Sequence, residues 1–262
     1  MKKVVLILSS LLFLFRAGAQ DLSLYEKKEF VRDGKVLLYR ILYPVDYNKH
    51  KKYPLVMFLH GAGERGNDNE AQLLHGGALF LQDSLRKNYP AIVIFPQMPK
   101  DSAWAYMEVK YDSVARRVSF LFPFRSTPTV PAGLVKGLMD SLSQSGIVDK
   151  KRIYIAGLSM GGFGTFNMVA RYPDYFAAAM PICGAGDTTL AGRFAYKIPL
   201  WVFHGGADPV VNVEYSRTYV QALRNLGATP RYTEYPGVGH NSWDNAFAEG
   251  DLLHWLFSNK KK

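Results

Sequence analysis

The sequence predicts an α/β fold, a mostly parallel central sheet with helices on both faces. Three observations predict it. The runs YPLVMFLHG (53–61), AIVIFPQ (91–97), RIYIAG (152–157), FAAAMPICG (176–184) and IPLWVFHGG (198–206) are too uniformly apolar to leave one face wet. Segments of helical period separate most of them, as parallel strands require. At one strand-to-helix junction a serine stands among glycines, GLSMGG at 157–162.

Taken in order, EFVRDGKVLLYRILYP (29–44) alternates like a hairpin and turns at Asp33-Gly34. NEAQLLHGGALFLQDSLRKN (69–88) is mostly helical in period, weakened by Gly76-Gly77. AGLVKGLMDSLSQSG (132–146) is an amphipathic helix, and MGGFGTFNMVARYP (160–173) a helix stopped by Pro173. VEYSRTYVQALRNLG (213–227) ends its helix at Gly227, RYTEYPG (231–237) is a strand, and WDNAFAEGDLLHWLFSN (243–259) a final helix. Residues 97–131 read as one long irregular insertion, rich in Trp104, Tyr106, Tyr111, Phe120, Phe122 and Phe124 and in proline. Its aromatic content points to function rather than disorder.

The first residues read as a leader. Lys2 and Lys3 precede an apolar run from Val4 to Phe15, and Ala17-Gly18-Ala19 fits a cleavage site. The expectation is a signal peptide over 1–19, export to the periplasm or beyond, and one domain over 20–262. The apolar run is short for a membrane span, so no stable membrane insertion is expected. The chain of 262 residues is 48% hydrophobic and 21% charged, which argues against disorder. The formal charge of +10 is scattered, without a basic stripe interleaved with aromatics, so nucleic acid is not an expected partner. A single cysteine, Cys183, excludes an internal disulfide and reads as a buried thiol. Histidines occur singly, with no HExxH spacing, so neither metal nor organic cofactor is expected.

Gly157-x-Ser159-x-Gly161, entered by a strand and left by a helix, is a nucleophile elbow. The tight turn raises the hydroxyl above the sheet, and the helix N-terminus favours developing negative charge. A hydroxyl needs a base, and the base an orienting carboxylate. Asp208 follows the strand ending FHGG, and His240 lies in a glycine-bounded loop after the next strand. The order serine, acid, histidine suits strands whose loops all emerge at the carboxyl edge. Asp187 and Glu214 are rival acids, and His50, His60, His75, His204 and His254 rival bases, less well placed. The amide of Met160, directly after the serine, and that of Ala62, in HGAG after the first buried strand, are the expected oxyanion donors. Glu64, Arg65, Asn67 and Asp68 are expected to pin that loop.

Together HGAGERGNDN, PQMP with the later tryptophan, GLSMGGFGT, FHGGADPVV and GHNSWDNAF resemble secreted bacterial α/β-hydrolase esterases. The likeness is to the phospholipase/carboxylesterase group near polyhydroxybutyrate depolymerases and feruloyl esterases. It implies an α/β-hydrolase fold and a Ser159–Asp208–His240 triad. It also implies action on esters, such as feruloyl or acetyl groups carried by plant polysaccharide fragments. Gln97, Trp104 and Trp243 become candidate substrate contacts. A prolyl-oligopeptidase-like peptidase is a rival, against which the chain length counts. A non-catalytic carbohydrate-binding protein is another, against which the ordered serine, acid and histidine count.

Overall fold

Neighbouring residues of the apolar runs face opposite ways, so each run must be covered twice. A computed structural model describing residues 21–113 and 117–261 shows this cover. The expected leader lies outside the described residues. In chain order the elements begin with β1 (Glu26–Arg32) and β2 (Lys35–Leu42), joined through Asp33 and Gly34, both at positive φ as a two-residue turn requires. Next come β3 (Tyr53–Leu59), α1 (Asp83–Asn88), β4 (Ile92–Pro96), β5 (Glu108–Asp112) and β6 (Arg117–Leu121). They are followed by α2 (Val130–Gln144), β7 (Val148–Leu158), α3 (Met160–Arg171), β8 (Ala178–Ile182), β9 (Trp201–Gly205) and α4 (Glu214–Asn225). The described chain closes with β10 (Arg231–Tyr235), α5 (Trp243–Phe247) and α6 (Leu252–Ser258).

The main sheet has eight strands in the order β1-β2-β4-β3-β7-β8-β9-β10. It is parallel from β4 to β10 and antiparallel where β2 meets β1 and β4. Leu55, Met57, Leu59, Ile153 and Ile155 pack on one face beneath α2, α3 and α4. Val56, Phe58, Tyr154 and Ala156 pack on the other with Leu252, Leu253 and Leu256 of α6. This is the α/β-hydrolase fold that the sequence predicts.

Three expectations need correction. Residues 69–88 are not one helix: short 3-10 turns at Ala71–Leu73 and Ala78–Leu81 precede α1. Gly76 between them sits at φ +91°, which ends helical geometry, and a side chain there would meet Phe58. Residues 97–131 are not irregular throughout, because β5 and β6 pair as an antiparallel hairpin. Its base is core: Phe120 and Phe122 pack on Phe163, and Tyr215 Oη accepts from the Phe120 amide at 2.7 Å. Val109, Tyr111 and Val118 further along remain exposed. The last expected helix is two, α5 and α6, parted around Gly250.

Candidate active site

Ser159 occupies the single position between β7 and α3, at φ 54° and ψ −119°. A non-glycine residue there is strained by about 1–3 kcal/mol, and the surroundings must hold it. They do so by close backbone approach. The Ser159 amide donates to the Ile182 carbonyl at 2.9 Å. A Cβ on Gly161 would collide with the Leu59 carbonyl, and one on Gly157 with the Gly161 carbonyl. The bracketing glycines therefore let the end of β3, the turn and α3 touch.

The loops after β9 and β10 are knitted together: the Gly206 amide donates to Tyr235 and that of Ala207 to Val238. This brings Asp208 and His240 to the serine. Ser159 Oγ lies 2.9 Å from His240 Nε2, and His240 Nδ1 lies 2.7 Å from Asp208 Oδ2. A carboxylate accepts from Nδ1–H, which leaves Nε2 free to accept from the serine hydroxyl. Asp208 Oδ1 accepts from the amides of Val210 and Val211 at 2.8 and 2.9 Å. Burial alone would raise the Asp208 pKa, but bonds from His204, His240 and those two amides outweigh it and hold the carboxyl well below the usual range.

The other candidates separate clearly. Asp187 accepts from the amide and hydroxyl of Thr189 and caps a short 3-10 turn. Glu214 pairs with exposed Arg217. His60 is buried and donates to the Gly61 carbonyl while accepting from the Met98 amide. Burial lowers its pKa to about 4, so it stays neutral. Met160 opens α3 and Ala62 opens a 3-10 turn over Ala62–Glu64, and neither turn is capped by a side chain. Gly61 lies against Ser159, so a Cβ there would sit 3.5 Å from the serine Cβ. Ala62 therefore follows a glycine packed against Ser159, and Met160 follows Ser159 directly in the chain.

Gln97 and Trp104 are not brought to the open side of the triad. Gln97 is buried; its Oε1 accepts from the Asn69 amide and its Nε2 donates to Asp68, both at 2.7 Å. It braces the loop behind Ala62. Trp104 is buried against α3 at Gly164 and donates to the His60 carbonyl. Trp243 does reach the site: its ring stands edge-on to His240 at 5.4 Å and is partly exposed.

Sequence reasoning missed His204 as a partner of the acid. Its Nε2 lies 3.3 Å from Asp208 Oδ2 and 2.9 Å from the Val211 carbonyl, and its Nδ1 meets Ser216 Oγ. The signal was the four-residue step from a strand-end histidine to the aspartate. Cys183 Sγ, a carboxylate oxygen of Asp208 and a ring nitrogen of His240 converge within 4.8 Å. They fit a metal poorly, because Asp208 and His240 hold each other and burial pushes the Cys183 thiol far up, away from the thiolate a metal needs.

A cavity of about 660 Å³ opens at the other end of β3, among Lys51, Lys52, Tyr53 and Arg86, and contains none of these residues.

The fold and the arrangement at its carboxyl edge are those of a serine hydrolase of the α/β-hydrolase class. The chain belongs to the phospholipase/carboxylesterase family, whose pattern matches residues 44–251. Its structure resembles that of a thermostable esterase with a TM-score of 0.81 and 37% identity, covering 92% of this chain and 64% of that one. A poly(3-hydroxyalkanoate) depolymerase from Paucimonas lemoignei is 44% identical over 136 residues, 40% of this chain and 30% of that protein. A bifunctional acetylxylan esterase/xylanase from Neocallimastix patriciarum is 22% identical over 172 residues, 60% of this chain and 26% of that protein. The chain thus spans under a third of the length of these two curated relatives.

Proposed function

We propose that the protein is a serine carboxylic-ester hydrolase acting on acyl groups, acetyl or feruloyl, carried by polysaccharide fragments. The observation that carries the serine-hydrolase part of this reading is the row Ser159 Oγ, His240 Nε2, His240 Nδ1 and Asp208 Oδ2, with links of 2.9 and 2.7 Å. In this mechanism His240 takes the proton as Ser159 attacks the ester carbonyl, and Asp208 stabilises the resulting imidazolium. The amides of Met160 and Ala62 hold the tetrahedral oxyanion; losing one such donor typically costs about 3 kcal/mol at the transition state. His240 then protonates the departing alcohol, and water cleaves the acyl-enzyme by the reverse path. No step calls for a metal or organic cofactor.

The acetylxylan esterase relative supports a carbohydrate-borne ester. A groove of about 410 Å³ lies between the β5–β6 hairpin and the loop after β8, with none of Ser159, Asp208 and His240 in its lining. Phe120, Phe122, Gly186 and Tyr215 line it, and Phe163, packed on both phenylalanines, lies one turn past the serine. Its aromatic walls suit a phenolic ring. The leader-like first 19 residues support export to where such polymers occur. Among the described residues no helix is long and apolar enough to cross a membrane.

A substrate panel tests the proposal. Turnover of acetylated xylo-oligosaccharide or methyl ferulate, lost in Ser159→Ala, is the expected result. Inactivity on both, with hydrolysis confined to other ester classes, removes the carbohydrate assignment.

A further inference from the structure

Behind the turn that starts at Ala62 lies a carboxylate with no role in the triad. Glu64 is buried, and its Oε2 has no hydrogen-bond partner. A buried, unpaired carboxylate is costly and needs a partner. Two imidazoles face it. His60 Nδ1 stands 3.9 Å from Oε2 but already donates to the Gly61 carbonyl, and burial keeps that ring neutral. His75 Nε2 stands 3.7 Å from Oε1, and its side chain is 30% exposed. The carboxylate thus lies beside Nε2 of a half-open histidine, within ion-pair reach and beyond hydrogen-bond distance.

The His75 ring packs on Trp243 at 4.9 Å between centroids, and Trp243 stands edge-on to His240 at 5.4 Å. His75, Trp243 and His240 therefore form a continuous wall leading away from the reacting serine. Among the described residues neither His75 Nδ1 nor Trp243 Nε1 has a hydrogen-bond partner. An aromatic face with two uncommitted polar atoms suits a hydroxylated ring, which stacks on the first and bonds the others.

We propose that Glu64, His75 and Trp243 form a binding subsite for the alcohol half of the ester, and that this half is a sugar. Its orientation rests on the proposed mechanism: His240 hands its proton to the departing alcohol, so the wall beside His240 flanks that group and not the acyl group. His75 is the contact, and Glu64 is a positioning residue acting through it.

Binding of xylotriose to the Ser159→Ala protein, followed by calorimetry, tests the subsite without any turnover. Adding His75→Ala should weaken Kd about tenfold, the effect of one lost hydrogen bond, and His75→Gln should restore part of it. Glu64→Gln should weaken it in the same direction. In the active protein, His75→Ala should reduce kcat/KM on acetylated xylo-oligosaccharide about tenfold more than on p-nitrophenyl acetate, with the excess in KM. Absent xylotriose binding, or a Kd indifferent to His75→Ala, overturns the subsite even in a working esterase. Conversely, xylotriose binding that depends on His75 in a protein inert to every ester would sink the hydrolase reading alone. Equal losses on both esters would assign His75 to the fold and overturn the inference.

Discussion

His204 Nε2 lies 3.3 Å from the same Asp208 oxygen that faces His240 Nδ1 at 2.7 Å. The carboxylate is held between two imidazoles, one inside the core and one in the site. This arrangement fixes the angle at which Asp208 meets His240. Replacing His204 by Asn should lower kcat on p-nitrophenyl acetate about tenfold with little change in KM. It should also cost about 1–3 kcal/mol of stability, since Ser216 and the Val211 carbonyl lose a partner. Kinetics and urea denaturation read both effects. Unchanged kcat would make His204 a packing residue only.

Asp208→Asn should reduce kcat by about 10⁴, because an amide donating to Nδ1 leaves the proton on Nε2, where it blocks acceptance from Ser159. The substitution should also change how stability depends on pH. The folded carboxyl titrates below its unfolded value of about 3.9. Its charge therefore stabilises the fold above roughly pH 4, and that contribution fades as pH falls through the lower folded value. The stability gap between the original and Asp208→Asn proteins should be widest near neutrality and shrink below about pH 4. A gap independent of pH would show that the lowered pKa is not realised in the fold.

Gly161→Ala should cost about 3 kcal/mol and most of the activity, because its Cβ falls on the Leu59 backbone, which no rotamer change can clear. Gly63→Ala, with open space around its Cβ, should fold normally. Thermal melts of the two variants make the comparison; equal melting temperatures would contradict the close approach of β3 and α3.

Gln97→Ala should destabilise the loop at 64–69 by about 1–3 kcal/mol and lower kcat several-fold by loosening the turn at Ala62. A raised KM with unchanged stability and kcat would instead make Gln97 a substrate contact.

Why the serine, the acid and the base were legible while other features were not follows from where the information lies. Ser159, Asp208 and His240 each follow a parallel strand of the main sheet, β7, β9 and the edge strand β10, and parallel strands send such loops to one edge, so chain order alone brings them together. The hairpin at 108–121 carried its alternation openly, with Val109 and Tyr111 facing across to Phe120 and Val118. It lacked the Asn-Gly or Asp-Gly pair that usually marks the turn. Residues 69–88 had enough leucine and alanine to suggest a helix, but the packing of Gly76 against Phe58 decided the geometry. Gln97 and Trp104 were read as substrate contacts, yet both are buried, because burial depends on which way each side chain leaves the strand end or loop. The meeting of Glu64 with His75 depends on how that loop folds back, which no local pattern encodes.

The central claim is that Ser159 is the group acylated during turnover. Mass spectrometry of the protein after reaction with a fluorophosphonate measures this most directly. One adduct per chain on the peptide containing Ser159, absent from Ser159→Ala and slowed severely in His240→Ala, is the predicted result. A single adduct on another residue, or none on protein that hydrolyses esters, would contradict it.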